Sequence, residues 1–193
     1  MIVDVTLQRG PRRPKTISDF RAVLSTAFNQ GHSPRHQPKS RAQLVLLRRS
    51  GTRKIVNEDE VRREAEEVGF DVVVIDPKRE TPTREIFKLL DGSHALVGAH
   101  SAGLTHVLFM RSASVFMQVV PLRCAWPADI CYGKLSIRLG LEYIVYDIQV
   151  HESNLGEKLA RECLEPHDPG LVMGNLSNWN MYMNQDIKID LDR

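Results

Sequence analysis

Apolar residues fall into short runs separated by polar segments of helix length. Gln43–Leu47 is one such run, closing on Arg48 and Arg49. Val72–Ile75 is continuously β-branched, as in a strand with helices on both faces, and Ala95–Ala99, Val115–Val120 and Glu142–Tyr146 repeat the pattern. Between them the periodicity becomes helical. Asn57 is placed to cap a helix carrying Glu58, Asp59 and Glu60 in its first turn, with Val61, Ala65 and Val68 at i, i+4 and i+7 and Gly69 as the stop. Further helices are predicted at Thr83–Leu90, Leu104–Met110 and Cys131–Leu139, with a late edge strand at Ile187–Leu191. Strand starts near 43, 72, 95, 115 and 142 are spaced by 29, 23, 20 and 27 residues. Two-residue hairpins cannot give such intervals, whereas strand–helix–strand crossovers need about that length. The expected fold is α/β, a Rossmann-like, doubly wound and mostly parallel sheet.

Upstream, Thr16 or Ser18 can cap a helix whose Ile17, Phe20, Val23, Leu24, Ala27 and Phe28 share one stripe. The Pro- and Gly-bearing segment 30–42 reads as an exposed linker. Two parts are therefore expected: residues 1–42 as a basic leader, amphipathic helix and linker, and 43–193 as a Rossmann-like domain. The 193 residues are 42% hydrophobic, which suits a packed core and excludes overall disorder. No apolar run approaches the roughly 18 residues needed to span a bilayer, so a soluble chain is expected. Residues 1–60 hold 12 basic and 5 acidic side chains, net +7, against 14 and 19, net −5, in the remainder. The total of +2 argues against a strongly basic nucleic-acid binder.

Ligands of such sheets bind beyond the strands' carboxyl ends, so the segments leaving those ends rank first. LVGAHSAGLTHVLFM runs from the third strand through a turn of small residues into a helix whose first amides lack intrahelical partners. His100 stands at the strand end, and Ser101, Ala102, Gly103, Leu104 and Thr105 can offer backbone amides to a diphosphate. RRSGTRK, leaving the first strand, places Arg48, Arg49, Arg53 and Lys54 around Ser50–Gly51, and guanidinium forks suit phosphate oxygens. Gln118, in MQVVP, is placed either to reach a nucleobase or ribose or to satisfy backbone groups within the sheet. Asp190 and Asp192 form an Asp-x-Asp that reads as a strand end rather than a metal site. Cys124, Cys131 and Cys163 lack zinc-ligand spacing. His100 and Ser101 are adjacent, a poor arrangement for a nucleophile and its base. Asn175-Leu176-Ser177 is an N-glycosylation sequon.

Taken together, VGAHSAGLTHVLFM followed by QVVP resembles the signature of glycosyltransferase family 61. The upstream LLRRSGTRKIVNEDEVRREAEEVGF and the downstream GLEYIVYDIQVHESNL and YMNQDIKIDL are similar to its plant branch, which includes xylan-decorating enzymes. The likeness runs from about residue 17 to 193. Ser101 stands where the family has glycine and His106 where it has asparagine. The serine Cβ and hydroxyl are expected to crowd a diphosphate or to exclude a positive φ.

The resemblance implies the C-terminal, donor-binding half of an inverting GT-B enzyme. Such an enzyme takes a UDP-sugar as co-substrate, needs no metal or other cofactor, and works in the Golgi lumen. The acceptor would be a polysaccharide such as xylan, or a glycoprotein, with pentose the favoured sugar. Arg48, Arg53 and His100 would contact the diphosphate, residues 101–105 would supply amides, and Gln118 would approach the nucleoside. The family also implies a further globular half and a membrane anchor upstream. The alternative is an inactive α/β module that binds nucleotide or pairs with a full-length homologue.

Overall fold

A computed structural model describes residues 16–28, 41–156 and 176–193. The sequon at Asn175 lies outside them. Five parallel strands, β1 (Gln43–Leu47), β2 (Asp71–Ile75), β3 (Ala95–Ala99), β4 (Val115–Val120) and β5 (Glu142–Asp147), form one sheet in the order β2-β1-β3-β4-β5. Every residue of β1 and β3 is buried, whereas β2 and β5, the two edges, are half-exposed. Although β2 is an edge, it packs on both faces, Val72 and Val74 on one and Ile75 on the other, as its unbroken β-branched run anticipates. Packing on one side of the sheet gathers Val45, Leu47, Leu96 and Phe116 with Leu90 and Leu104, and on the other Leu44, Leu46, Val97 and Val119 with Ile148 and Ile187.

The helix α1 (Ile17–Phe28) is capped by Thr16, whose hydroxyl accepts from the Asp19 amide at 3.2 Å while the Asp19 carboxylate accepts from the Thr16 amide at 2.8 Å. Its Phe28 stacks with Phe87 and Phe109 at 5.1 and 6.3 Å, so α1 packs on the sheet's helical layer. Phe20 and Val23 from the predicted stripe remain 44% and 64% exposed.

The helix α2 (Glu58–Val68) starts and stops where predicted, and Gly69 ends it at φ 117°, a value that favours glycine. Asn57 departs from expectation. Its side chain makes no cap bond to α2 and instead brackets Ile189, accepting from its amide at 2.9 Å and donating to its carbonyl at 2.8 Å. These bonds explain how a buried asparagine is satisfied, and they tie residues 53–57 to the C-terminal segment. We expect Asn57→Ala to cost about 1–3 kcal/mol, read as a lower urea midpoint with unchanged slope. An unaltered midpoint would show that the clamp contributes nothing.

After α3 (Thr83–Asp91) and β3 comes the helix predicted at 104–110, which spans Ala102–Phe109 and is 3₁₀ rather than α. The reason is the spacing of its apolar residues. Leu104, Val107 and Met110, each 0% exposed, recur every third position and so align on a helix with three residues per turn. Gly98 permits the close approach, since a Cβ there would lie 3.0 Å from both Leu104 Cδ2 and Leu47 Cβ. The helix predicted at 131–139 begins earlier, as α4 (Ala125–Ala128), passes through a π-helical turn at Asp129–Gly133, and ends as α5 (Lys134–Arg138).

A 3₁₀ turn (Val150–Glu152) and α6 (Leu176–Met183) precede the final segment. The predicted strand at 187–191 is reduced to two isolated bridges from Ile187, to Ile55 and Ser153. Side chains do the rest of the fastening. Gln185, 0% exposed, bonds both backbone groups of Leu122, the Tyr182 carbonyl and the Ser153 hydroxyl. The final segment thus braces the loops that leave the strands' carboxyl ends.

Candidate functional site

Chain order in the sheet reverses at β1, whose neighbours are β2 and β3, so a crevice opens between the segments leaving β1 and β3. A cleft of about 340 Å³ lies there. Arg48, Arg49, Ser50 and Gly51 line it from β1, Ser101, Gly103 and His106 from β3, and Asp76–Arg79 from the end of β2. A second cleft, of about 320 Å³, is lined from α1, α3 and the 3₁₀ helix, away from the strands' carboxyl ends.

The predicted residues divide into three groups. Arg48, Ser101 and Gly103 reach the crevice. Ala102 and Thr105 are exposed on the first turn of the 3₁₀ helix, and the Thr105 hydroxyl donates to the Ala102 carbonyl, while the Leu104 side chain is buried in the core. His100 and Gln118 are buried at the base of the site, 7% and 0% exposed. Ser101 sits at φ −169°, extended backbone that any residue adopts, so the serine costs no backbone strain where the family carries glycine. Its hydroxyl and His106 Nδ1 are buried and unbonded among the described residues.

The Gln118 side chain is engaged by neighbouring side chains and not by the sheet backbone. Its Nε2 lies 2.7 Å from His100 Nδ1, and its Oε1 accepts from the Tyr143 hydroxyl at 2.7 Å. The His100 ring also meets Tyr132 edge-on at 5.7 Å, and the Tyr132 hydroxyl donates to the Ser101 carbonyl at 2.6 Å. Tyr132 belongs to the π-helical turn, which carries its ring beneath the loop after β3.

The three arginines near the site differ in their partners. Arg48 donates to Glu58 in the first turn of α2, at 2.9 Å through Nε and 2.5 Å through Nη2. Arg49 bonds the Thr52 carbonyl at 2.7 Å. Arg53, at φ 61°, turns its guanidinium inward, where Nη1 donates to the Met183 carbonyl and Nε is buried without a partner among the described residues. Burial, then the neighbouring charge of Arg49, lowers the Arg53 pKa. No described carboxylate pairs with Arg49 or Arg53. Burial, then Arg53 and Arg49, pushes His100 down to about 4, so its ring is neutral at pH 7.

Arg49 and Arg53 without a described carboxylate partner, a neutral imidazole and the first amides of a short helix lie by the loops leaving β1 and β3. Asp76, paired with Lys78, is the one carboxylate among the described residues lining the crevice. Such a surplus of donors suits an anion. Lys78 adds to the positive rim, bonding the Ser50 hydroxyl at 2.9 Å while paired with Asp76. Sequence reasoning did not single out this loop after β2, and what marks it is position alone, at the same sheet edge. Among the described residues no group of three His, Cys, Asp or Glu side chains is placed to hold a metal ion, and no helix is long and apolar enough to cross a membrane.

Comparison with known proteins converges on this same region. Residues 5–117 match the family Glycosyltransferase 61, a span that includes β1, β3 and the crevice between them. A xylan glycosyltransferase of Arabidopsis thaliana is 34% identical over 92% of this chain and 40% of its own length. A β-1,2-xylosyltransferase of Oryza sativa subsp. japonica is 29% identical over 100% of this chain and 35% of its own. An EGF domain-specific O-linked N-acetylglucosamine transferase of Xenopus laevis is 30% identical over 72% of this chain and 28% of its own. The chain therefore spans well under half of the curated relatives it matches. With the family match extending over more than half of the residues, and a relative 34% identical over 92% of the chain, the chain belongs to the glycosyltransferase 61 family.

Proposed function

We propose that this chain grips the diphosphate of a UDP-sugar and serves as the donor-binding part of an inverting GT-B glycosyltransferase. The sugar is a pentose and the acceptor xylan, with the Golgi lumen as the site of action. One observation carries this reading: Arg49 and Arg53, with no described carboxylate paired to either, lie in the loop leaving β1 at the β1/β3 switch point, and their charge helps to lower the His100 pKa. The names of the plant relatives support the choice of sugar and acceptor. The same charges that hold the diphosphate would stabilise UDP as it departs, because negative charge grows on its terminal oxygens while the sugar transfers. His100 Nε2, Arg49, Arg53 and the first amides of the 3₁₀ helix take up phosphate oxygens. Arg48 stands at the rim.

Titration calorimetry of the chain with UDP, with and without a chelator, tests the reading. We expect binding that withstands the chelator and weakens at least tenfold in Arg53→Ala, the loss appropriate to one charge-assisted contact of about 1.5–3 kcal/mol. Absence of UDP binding to the unaltered chain overturns the donor assignment. Loss of binding on chelation overturns metal independence.

A further inference from the structure

We infer that Gln118 and Tyr143 are positioning residues that fix the imidazole of His100 as a neutral donor with its proton on Nε2. The role assigned to that donor, a hydrogen bond to the diphosphate, rests on the proposed function; the tautomer itself does not. Three side chains from three adjacent strands make the relay: His100 just beyond β3, Gln118 in β4 and Tyr143 in β5. Register places them together, since Gln118 pairs with Gly98 on one side and Val145 on the other, two residues from His100 and from Tyr143.

The direction of the relay follows from donor and acceptor inventory. The Tyr143 hydroxyl has one described partner, Gln118 Oε1 at 2.7 Å, and a phenol in that position donates. Burial, then Asp129 and Asp147, lifts the Tyr143 pKa to about 12, so the proton stays on the phenol throughout the working pH range. With Oε1 thus committed, the amide turns its Nε2–H towards His100 Nδ1 at 2.7 Å. That nitrogen can then only accept, and a neutral ring carries its remaining proton on Nε2.

Nε2 has no hydrogen-bond partner among the described residues and is not among the buried orphan atoms, so it is the ring's accessible polar edge. The groups facing the ring are Arg53, Arg49 and the edge of Tyr132, all positive or neutral, and they disfavour a second proton. A fully buried glutamine inside a parallel sheet needs a reason. Here it gives the crevice a donor that stays uncharged.

Long-range nitrogen–proton NMR of the imidazoles in the unaltered chain reads the tautomer directly and requires no variant. We expect His100 to show an unprotonated Nδ1 and a protonated Nε2, unchanged from pH 8 to pH 5. In Tyr143→Phe and Gln118→Leu the spectrum should move towards a mixture of tautomers, with the UDP dissociation constant rising a few-fold in the first and about tenfold in the second. A protonated Nδ1 in the unaltered chain overturns the inference. So does a tautomer that stays the same in every folded variant, which would reduce the relay to core packing. Failure of UDP to bind the unaltered chain instead overturns the donor reading, while the tautomer result stands.

Discussion

Glu152→Gln is expected to lower the stability of the chain by about 3–4 kcal/mol, the largest single effect of any substitution away from the crevice. Glu152 is 1% exposed and its carboxylate is fully employed. Oε1 accepts from the Tyr146 hydroxyl at 2.6 Å and the Asp190 amide at 2.8 Å, while Oε2 accepts from the Gln149 amide at 2.6 Å and Arg193 at 2.8 Å. A glutamine of equal size turns an NH₂ towards one of these donor pairs and leaves them unsatisfied in a dry place. Burial works to raise the Glu152 pKa, but the bonds from Gln149, Tyr146 and Asp190 and the charge of Arg193 outweigh it and hold the group below its ordinary value. For a depressed carboxylate the stabilisation is complete above the unfolded pKa and is lost as pH falls through the folded one. The penalty of Glu152→Gln should therefore shrink below about pH 4. Urea unfolding at pH 7 and pH 3.5 measures both points, and a loss under 1 kcal/mol at pH 7 would show that the cluster is not a buried anion site. Arg193→Ala, at a residue 38% exposed, should cost far less.

The contrast between this cluster and the crevice shows what a sequence discloses. Strand and helix positions were legible because they rest on local periodicity: β1 to β5 fall within about a residue of the runs that predicted them, as do α1, α2 and α3. The 3₁₀ helix had a signal in the three-residue spacing of Leu104, Val107 and Met110, masked by the usual expectation of an α-helix. The roles of Asn57, Gln185 and Glu152 were not legible, because each depends on partners as far as 132, 63 and 41 residues away in the chain.

Within RRSGTRK, where Arg48 and Arg53 were expected to contact the diphosphate, the sequence offered four cations. Only the fold separates them, giving Arg48 to Glu58, Lys54 to Asp186, and Arg49 and Arg53 to the neighbourhood of His100. Gln118 carried two readings, and the structure supplied a third, a side-chain relay invisible without the pairing of β3, β4 and β5.

The second large effect belongs to His100 and runs with pH. Its folded pKa of about 4 lies below the ordinary 6.5, so between these values the unfolded chain binds a proton that the folded chain refuses. Stability from this group is therefore whole above pH 6.5 and falls as the solution is acidified towards pH 4. Between pH 7.5 and pH 5 the linkage amounts to about 2 kcal/mol, enough to change the folded-to-unfolded ratio some thirtyfold. His106, also lowered by burial, adds in the same direction. Glu152 does not compete in this window, because its loss comes at lower pH. His100→Asn isolates the contribution: the asparagine Oδ1 can still accept from Gln118, but the side chain does not titrate. Urea midpoints at pH 7.5, 6 and 5 should decline more steeply in the unaltered chain than in His100→Asn. Parallel declines would mean that His100 titrates normally, and that the two arginines do not impose their charge on it. The positive field on which the proposed diphosphate binding rests would then lack support.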